Sequence, residues 1–190
     1  MRHLSRRTAL AGLLSAVAAP ARAQDRPPHF ETARRQYTLL RPARTPPPLR
    51  PTGLDGRAAY LGTLDGRVTL INFWATWCPA CVNELPILER LHLSDNGVRV
   101  IAIAVDREGG PQKVLRYLQK LNVRRLPVYL DPEGAVAYAD QNNERKAPFA
   151  LYGMPISYVI DRAGRIAGYF PGEADWMSPA ALKLLDYYRS

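Results

Sequence analysis

The run Val68-Thr69-Leu70-Ile71-Asn72-Phe73-Trp74, followed after three residues by Cys78-Pro79-Ala80-Cys81, constrains this chain more than any other feature. A near-continuous apolar run of that length reads as a strand buried on both faces. Beyond it, Val82, Leu85, Leu88 and Leu91 recur every three residues, the spacing of a helix that starts at Cys78 and stops before Gly97. A buried strand turning directly into a helix belongs to an α/β sheet. The two cysteines sit at that turn.

The following segments extend the pattern. Residues 98–105 form a second buried strand, and 111–121 form a helix with Val114, Leu115, Leu118 and Leu121 facing inward. Strand, helix, strand, helix predicts parallel strands joined by crossovers. Residues 128–130 read as a short strand ending at the turn Asp131-Pro132-Glu133-Gly134, and 135–152 as a polar, partly helical stretch. Residues 156–160 and 165–170 flank Asp161-Arg162-Ala163-Gly164 as an antiparallel hairpin. Ser178 caps a last helix with Pro179 in its first position and Ala181, Leu182, Leu185 and Tyr188 along one face. Upstream, Leu54-Asp55-Gly56-Arg57 and Leu64-Asp65-Gly66-Arg67 place two Asp-Gly turns ten residues apart, which predicts a hairpin ahead of the first central strand and a domain spanning 52–190.

The charge lies outside that domain. The chain of 190 residues carries a net charge of +9, but residues 1–23 hold four Arg and no acid, and 24–51 hold six Arg against Asp25 and Glu31. A nearly neutral domain is a poor phosphate binder, which excludes nucleic acid as a partner. Residues 1–23 combine a basic start, an apolar run over 9–19 and Ala21-Arg22-Ala23, the marks of a signal peptide; Arg6-Arg7 also fits a twin-arginine signal. Its apolar run is too short to span a bilayer, although an uncleaved segment can still tether the chain near a membrane. Residues 24–51, with seven prolines, read as a solvated arm or linker. The exported domain is therefore expected in the periplasm, an oxidising compartment.

In that setting the cysteine spacing points to thiol chemistry. Cys78 at a helix N-terminus is favoured as a thiolate by unpaired N–H groups and the helix dipole. A two-residue spacer allows both a closed disulfide and an open dithiol, as thiol exchange requires. Cys78 is then the exposed nucleophile and Cys81, one turn in, the resolving thiol. A purely structural bridge closing so short a loop gains little, and a zinc site would need two further ligands where the exported chain has His29 and His92. No metal is expected. A Cu(I) metallochaperone using the same pair remains the alternative, with Met154 as the one helper ligand. A peroxiredoxin-type peroxidase needs Thr or Ser where this chain has Ala75.

Asn72-Phe73-Trp74-Ala75-Thr76-Trp77-Cys78-Pro79-Ala80-Cys81 with Glu84-Leu85-Pro86, Gly153-Met154-Pro155 and Ala174-Asp175-Trp176 resembles the exported disulfide reductases of the TlpA, ResA and CcmG group, most closely the TlpA branch. The resemblance runs over 54–188. It implies a thioredoxin-like α/β fold: a central mixed sheet flanked by helices, an N-terminal β-hairpin extension and an insertion before a cis-proline loop at Pro155. It implies catalytic roles for Cys78, Cys81 and Glu84, and substrate contact by Trp77, Pro79, Met154 and Pro155. The activity implied is reduction of protein disulfides, in cytochrome oxidase copper-centre or cytochrome c assembly. The Cys78–Cys81 couple itself serves as the redox group in place of a cofactor, and a membrane thiol donor recharges it. Thioredoxins in general carry a buried Asp where this chain has Asn72, so Glu84 is the candidate acceptor for the proton of Cys81.

Overall fold

The computed structural model describes residues 26–94, 96–139 and 147–190. The expected signal peptide, and Arg145 and Lys146 of the insertion, lie outside the described residues. Val68–Trp74 becomes β3 (Thr69–Trp74), buried along its whole length. It pairs in parallel with β4 (Arg99–Ala104), which pairs in parallel with β5 (Val128–Leu130). On its other side β3 runs antiparallel to β8 (Ile156–Ile160), which turns through Asp161 into β9 (Ile166–Pro171). The turn is fixed by the Asp161 carboxylate, which accepts from the N–H groups of Ala163 and Arg165 and pairs with the Arg165 guanidinium at 2.8 Å.

Among the described residues three helices cover one face: α1 (Pro79–Leu93), α2 (Gly110–Lys120) and α3 (Pro179–Arg189). Side chains on β3 alternate across the sheet. Leu70 and Trp74 pack with Leu85 and Leu88 of α1, Val114 and Leu118 of α2 and Leu184 and Leu185 of α3. Ile71 and Phe73 point to the opposite face, where they meet Leu49, Leu64, Val136 and Phe149. Ser178 caps α3 as its sequence predicts, its side chain accepting from the Ala181 N–H. Helix α1 stops at Leu93, short of Gly97, because the Ser94 hydroxyl turns back to the Leu91 carbonyl.

The largest departure from the sequence reading is at the N-terminus. Residues 26–51 are not a solvated arm. Strand β1 (Thr38–Arg44) adds to the edge of the same sheet, antiparallel to β9, and β2 (Thr52–Gly53) adds to the other edge against β5. Pro42 is tolerated because an edge strand has one side free of the ladder. Gly168 lets β1 come close, since a side chain there would collide with the Tyr37 ring and the Thr38 carbonyl. Phe30 is buried against Phe170 and Trp176, with ring centroids 4.8 Å and 5.3 Å away. Phe30→Ala is expected to destabilise the protein by about 3 kcal/mol, read by urea denaturation, because it removes a buried ring from a closed aromatic cluster.

The expected N-terminal hairpin forms around the first Asp-Gly only. Its arms meet at Thr52↔Ala58 and Leu49↔Gly62 as isolated bridges, and the second Asp-Gly leads into β3. In the stretch expected to be partly helical, the described residues form two short parallel strands, β6 (Ala137–Tyr138) and β7 (Phe149–Ala150), and residues 140–146 lie outside the described residues. The first turn of the stretch is organised by the buried Asp131, whose carboxylate accepts from the N–H groups of Ala135, Val136 and Ala137.

Candidate active site

Strand β3 ends at Trp74 and delivers the chain into a short loop, from which Cys78 caps α1 with Pro79 in its first position. Cys78 and Cys81 form a disulfide across this first helical turn. The turn carries no acidic side chain, so nothing offsets the positive end of the helix dipole beside the sulfurs. Cys81 is fully buried. Cys78, expected to be exposed, is buried at 4% accessible and is still the more open of the two, with exposed Trp77 and Pro79 on either side of it in the chain.

Sheet register brings the proline loop to the same place. Phe73 of β3 lies opposite Ile156 of β8, so Pro155, one residue before, stands across from the end of β3 where the cysteine loop begins. The Met154–Pro155 bond is cis, in agreement with the expectation at this position. Pro155 is buried and its carbonyl accepts from the Gly172 N–H at 2.6 Å. Trp77, 63% exposed, and Met154 face a common groove of about 450 Å³ whose walls include Val105, Arg107, Tyr138 and Leu151. Trp74 packs beneath the site, fully buried against Tyr117.

Glu84 is not a surface residue. One turn beyond Cys81 on the same face of α1, it is 1% accessible and held by three donors. Asn72 Nδ2 donates to Oε2 at 2.8 Å, and Trp176 Nε1 and the Ala174 N–H donate to Oε1 at 2.8 Å and 3.2 Å. Burial pushes its carboxyl up to about 8; the bonds from Trp176, Asn72 and Ala174 oppose that rise and the charge of Glu173 adds to it. The result is a buried acid whose proton affinity is close to that of a free thiol, about 8.5.

Sequence reasoning missed a second buried carboxylate. Asp106, just past β4, accepts from the N–H and hydroxyl of Thr76 and pairs with Lys113 Nζ of α2 at 2.9 Å. It clasps the loop two residues before Cys78. A polar residue ending an apolar strand was the available signal, but such residues also end strands for purely local reasons. Thr76→Val should cost about 1–3 kcal/mol by stranding part of that carboxylate, and should shift the emission of exposed Trp77.

A model of the Redoxin family matches residues 24–185, a span that takes in the N-terminal strand as well as the cysteine site. The chain belongs to the Redoxin family. Curated relatives of this Redoxin include the thiol-disulfide oxidoreductase ResA of Bacillus thuringiensis subsp. konkukian, 26% identical over 124 residues that cover 64% of this chain and 65% of ResA. The thiol:disulfide interchange protein HelX of Rhodobacter capsulatus is 27% identical over 118 residues, 62% of this chain and 60% of HelX. The chain thus spans just under two thirds of the length of these relatives. The crystal structure of a thiol:disulfide interchange protein, DsbE, from Chlorobium tepidum superposes with a TM-score of 0.56 at 24% identity, over 77% of this chain and 93% of that one, and shows the thioredoxin-like fold.

Proposed function

We propose that this Redoxin is an exported thiol:disulfide oxidoreductase working as a reductase of protein disulfides. The observation that carries the proposal is the Cys78–Cys81 pair at the start of α1, facing the Pro155 loop, with the buried acid Glu84 one turn further. In the reduced protein the Cys78 thiolate attacks one sulfur of a substrate disulfide, forming a mixed disulfide and releasing the substrate's other sulfur as a thiolate, which takes up a proton. Cys81 then gives its proton to the Glu84 carboxylate and attacks the Cys78 sulfur. The mixed disulfide breaks, the second substrate sulfur leaves as a thiolate that takes up a proton from water, Glu84 returns its own proton to water, and Cys78–Cys81 is oxidised as the substrate gains two electrons.

Trp77 and Met154 line the groove that takes an extended substrate strand, and Pro79, exposed after Cys78, and the Pro155 loop contact the substrate beside the sulfurs. Reductase direction is supported by Pro79-Ala80, which places no His between the cysteines to stabilise the reduced thiolate strongly. A reductase in the periplasm needs a thiol donor, and one in the membrane fed from the cytoplasm fits both the compartment and the leader-like residues 1–23. Substrates in cytochrome oxidase copper-centre or cytochrome c assembly fit the TlpA, ResA and CcmG resemblance.

The test is stoichiometric. Pre-reduced protein should lose both thiols to an equal amount of insulin disulfide, and Cys78→Ser should lose none. Inert reduced protein, combined with oxidised protein that converts substrate dithiols to disulfides, would reverse the direction.

A further inference from the structure

Asn72 is a polar residue in the middle of a strand otherwise built to be buried. Its Nδ2 donates to Glu84 Oε2 and, at 2.9 Å, to the hydroxyl of Ser157, its register partner on β8. Its Oδ1 is buried and, among the described residues, meets no donor. A buried amide acceptor without a donor is a cost that an apolar side chain at this position would not incur.

The two oxygens of Glu84 differ in what they can carry. Oε1 is held by the Trp176 indole and the Ala174 N–H, both of which only donate, so it remains an acceptor in either protonation state. A proton arriving on Glu84 therefore goes to Oε2, the oxygen that faces Asn72. An O–H there would confront the N–H of the amide. Turning the amide over by half a rotation about its last bond presents Oδ1 to the new O–H instead, and Ser157, whose hydroxyl can accept or donate, follows either orientation.

We infer that Asn72 is a positioning residue that holds Glu84 in both protonation states by turning its amide over, with Ser157 changing from acceptor to donor as it does so. The groups that meet Glu84 are Asn72 from β3, with Ser157 beyond it on β8, and Trp176 and the Ala174 N–H from the segment before α3; Cys81 lies one turn before it on α1, and Glu173, held by Asn83, is the charge acting on it. The inference rests on the proposed role of Glu84 as proton acceptor for its value to the reaction, although the amide movement itself does not require a thiol.

The experiment is therefore done on the oxidised protein, in which neither cysteine titrates. Nitrogen-15 and carbon-13 NMR follow the Asn72 side-chain amide and the Glu84 carboxyl carbon between about pH 5 and 10. The Asn72 amide signals should move with the midpoint of Glu84 and become independent of pH in Glu84→Gln. Asn72→Leu removes the partner of both protonation states, so the Glu84 midpoint should move by less than about tenfold, one pH unit. An Asn72 amide that stays still while Glu84 titrates overturns the inference, as does a midpoint raised by more than about tenfold in Asn72→Leu, which would mean that Asn72 supports the carboxylate alone. Should that variant not fold, the wild-type amide titration decides alone. Failure of the proposed function shows elsewhere, as a pH profile of Cys81 attack that Glu84→Gln leaves unaltered.

Discussion

Replacing Cys81 by Ser stops turnover and leaves the substrate covalently attached to Cys78. The mixed disulfide still forms, because the Cys78 sulfur and the start of α1 are untouched, but no second thiol stands one turn in to break it. Non-reducing electrophoresis and mass spectrometry should show a one-to-one adduct that dithiothreitol releases. Cys78→Ser should lose turnover to the same background and form no adduct, since the buried Cys81 cannot reach a protein substrate. Equal trapping by both variants would contradict the assignment of nucleophile and resolving thiol.

Glu84→Gln should change both rate and stability, with opposite signs. Loss of the proton acceptor slows the attack of Cys81, by about a hundredfold if Glu84 acts as a general base of ordinary efficiency. The stability effect follows from proton linkage. The carboxyl of Glu84 is raised from 4.5 in the unfolded chain to about 8 in the fold, so between those values the folded state binds more protons. Wild-type stability must then fall as pH rises from about 4.5 to about 8 and level off above it, a total on the order of 5 kcal/mol. Gln resembles the neutral acid and carries no such slope. Urea denaturation across this range should show the variant close to wild type at pH 5 and clearly more stable at pH 9. A variant less stable than wild type at pH 9 would mean that the ionised carboxylate is favoured by its three donors.

The parts legible in the sequence are those where one local rule dominates. The apolar run of β3, the three-residue spacing of α1, the Asp161 turn and the Ser178-Pro179 start of α3 each follow from burial or backbone chemistry within a few residues. Cys78 and Cys81 were found by their spacing at the start of a helix, and Glu84 through the family resemblance. Partners distant in sequence were not legible as contacts: Trp176 lies 92 residues from the carboxylate it binds, and its neighbours Asp175 and Met177 give no sign of the bond. The N-terminal strand was missed because prolines and arginines suggest a solvated chain, whereas an edge strand needs only one row of hydrogen bonds and a single anchor such as Phe30. That anchor packs on Trp176, so the segment read as a linker helps to seal the pocket that raises the proton affinity of Glu84.

The central claim is that Cys78 and Cys81 form a reducing couple. The equilibrium reduction potential of the protein, measured against a dithiothreitol or glutathione series by the emission of Trp74 and Trp77 with thiol trapping as control, tests it most directly. A value near that of thioredoxin, about −270 mV, is the predicted result. A value near about −120 mV, at the strongly oxidising end, would contradict it and make the protein a donor of disulfides.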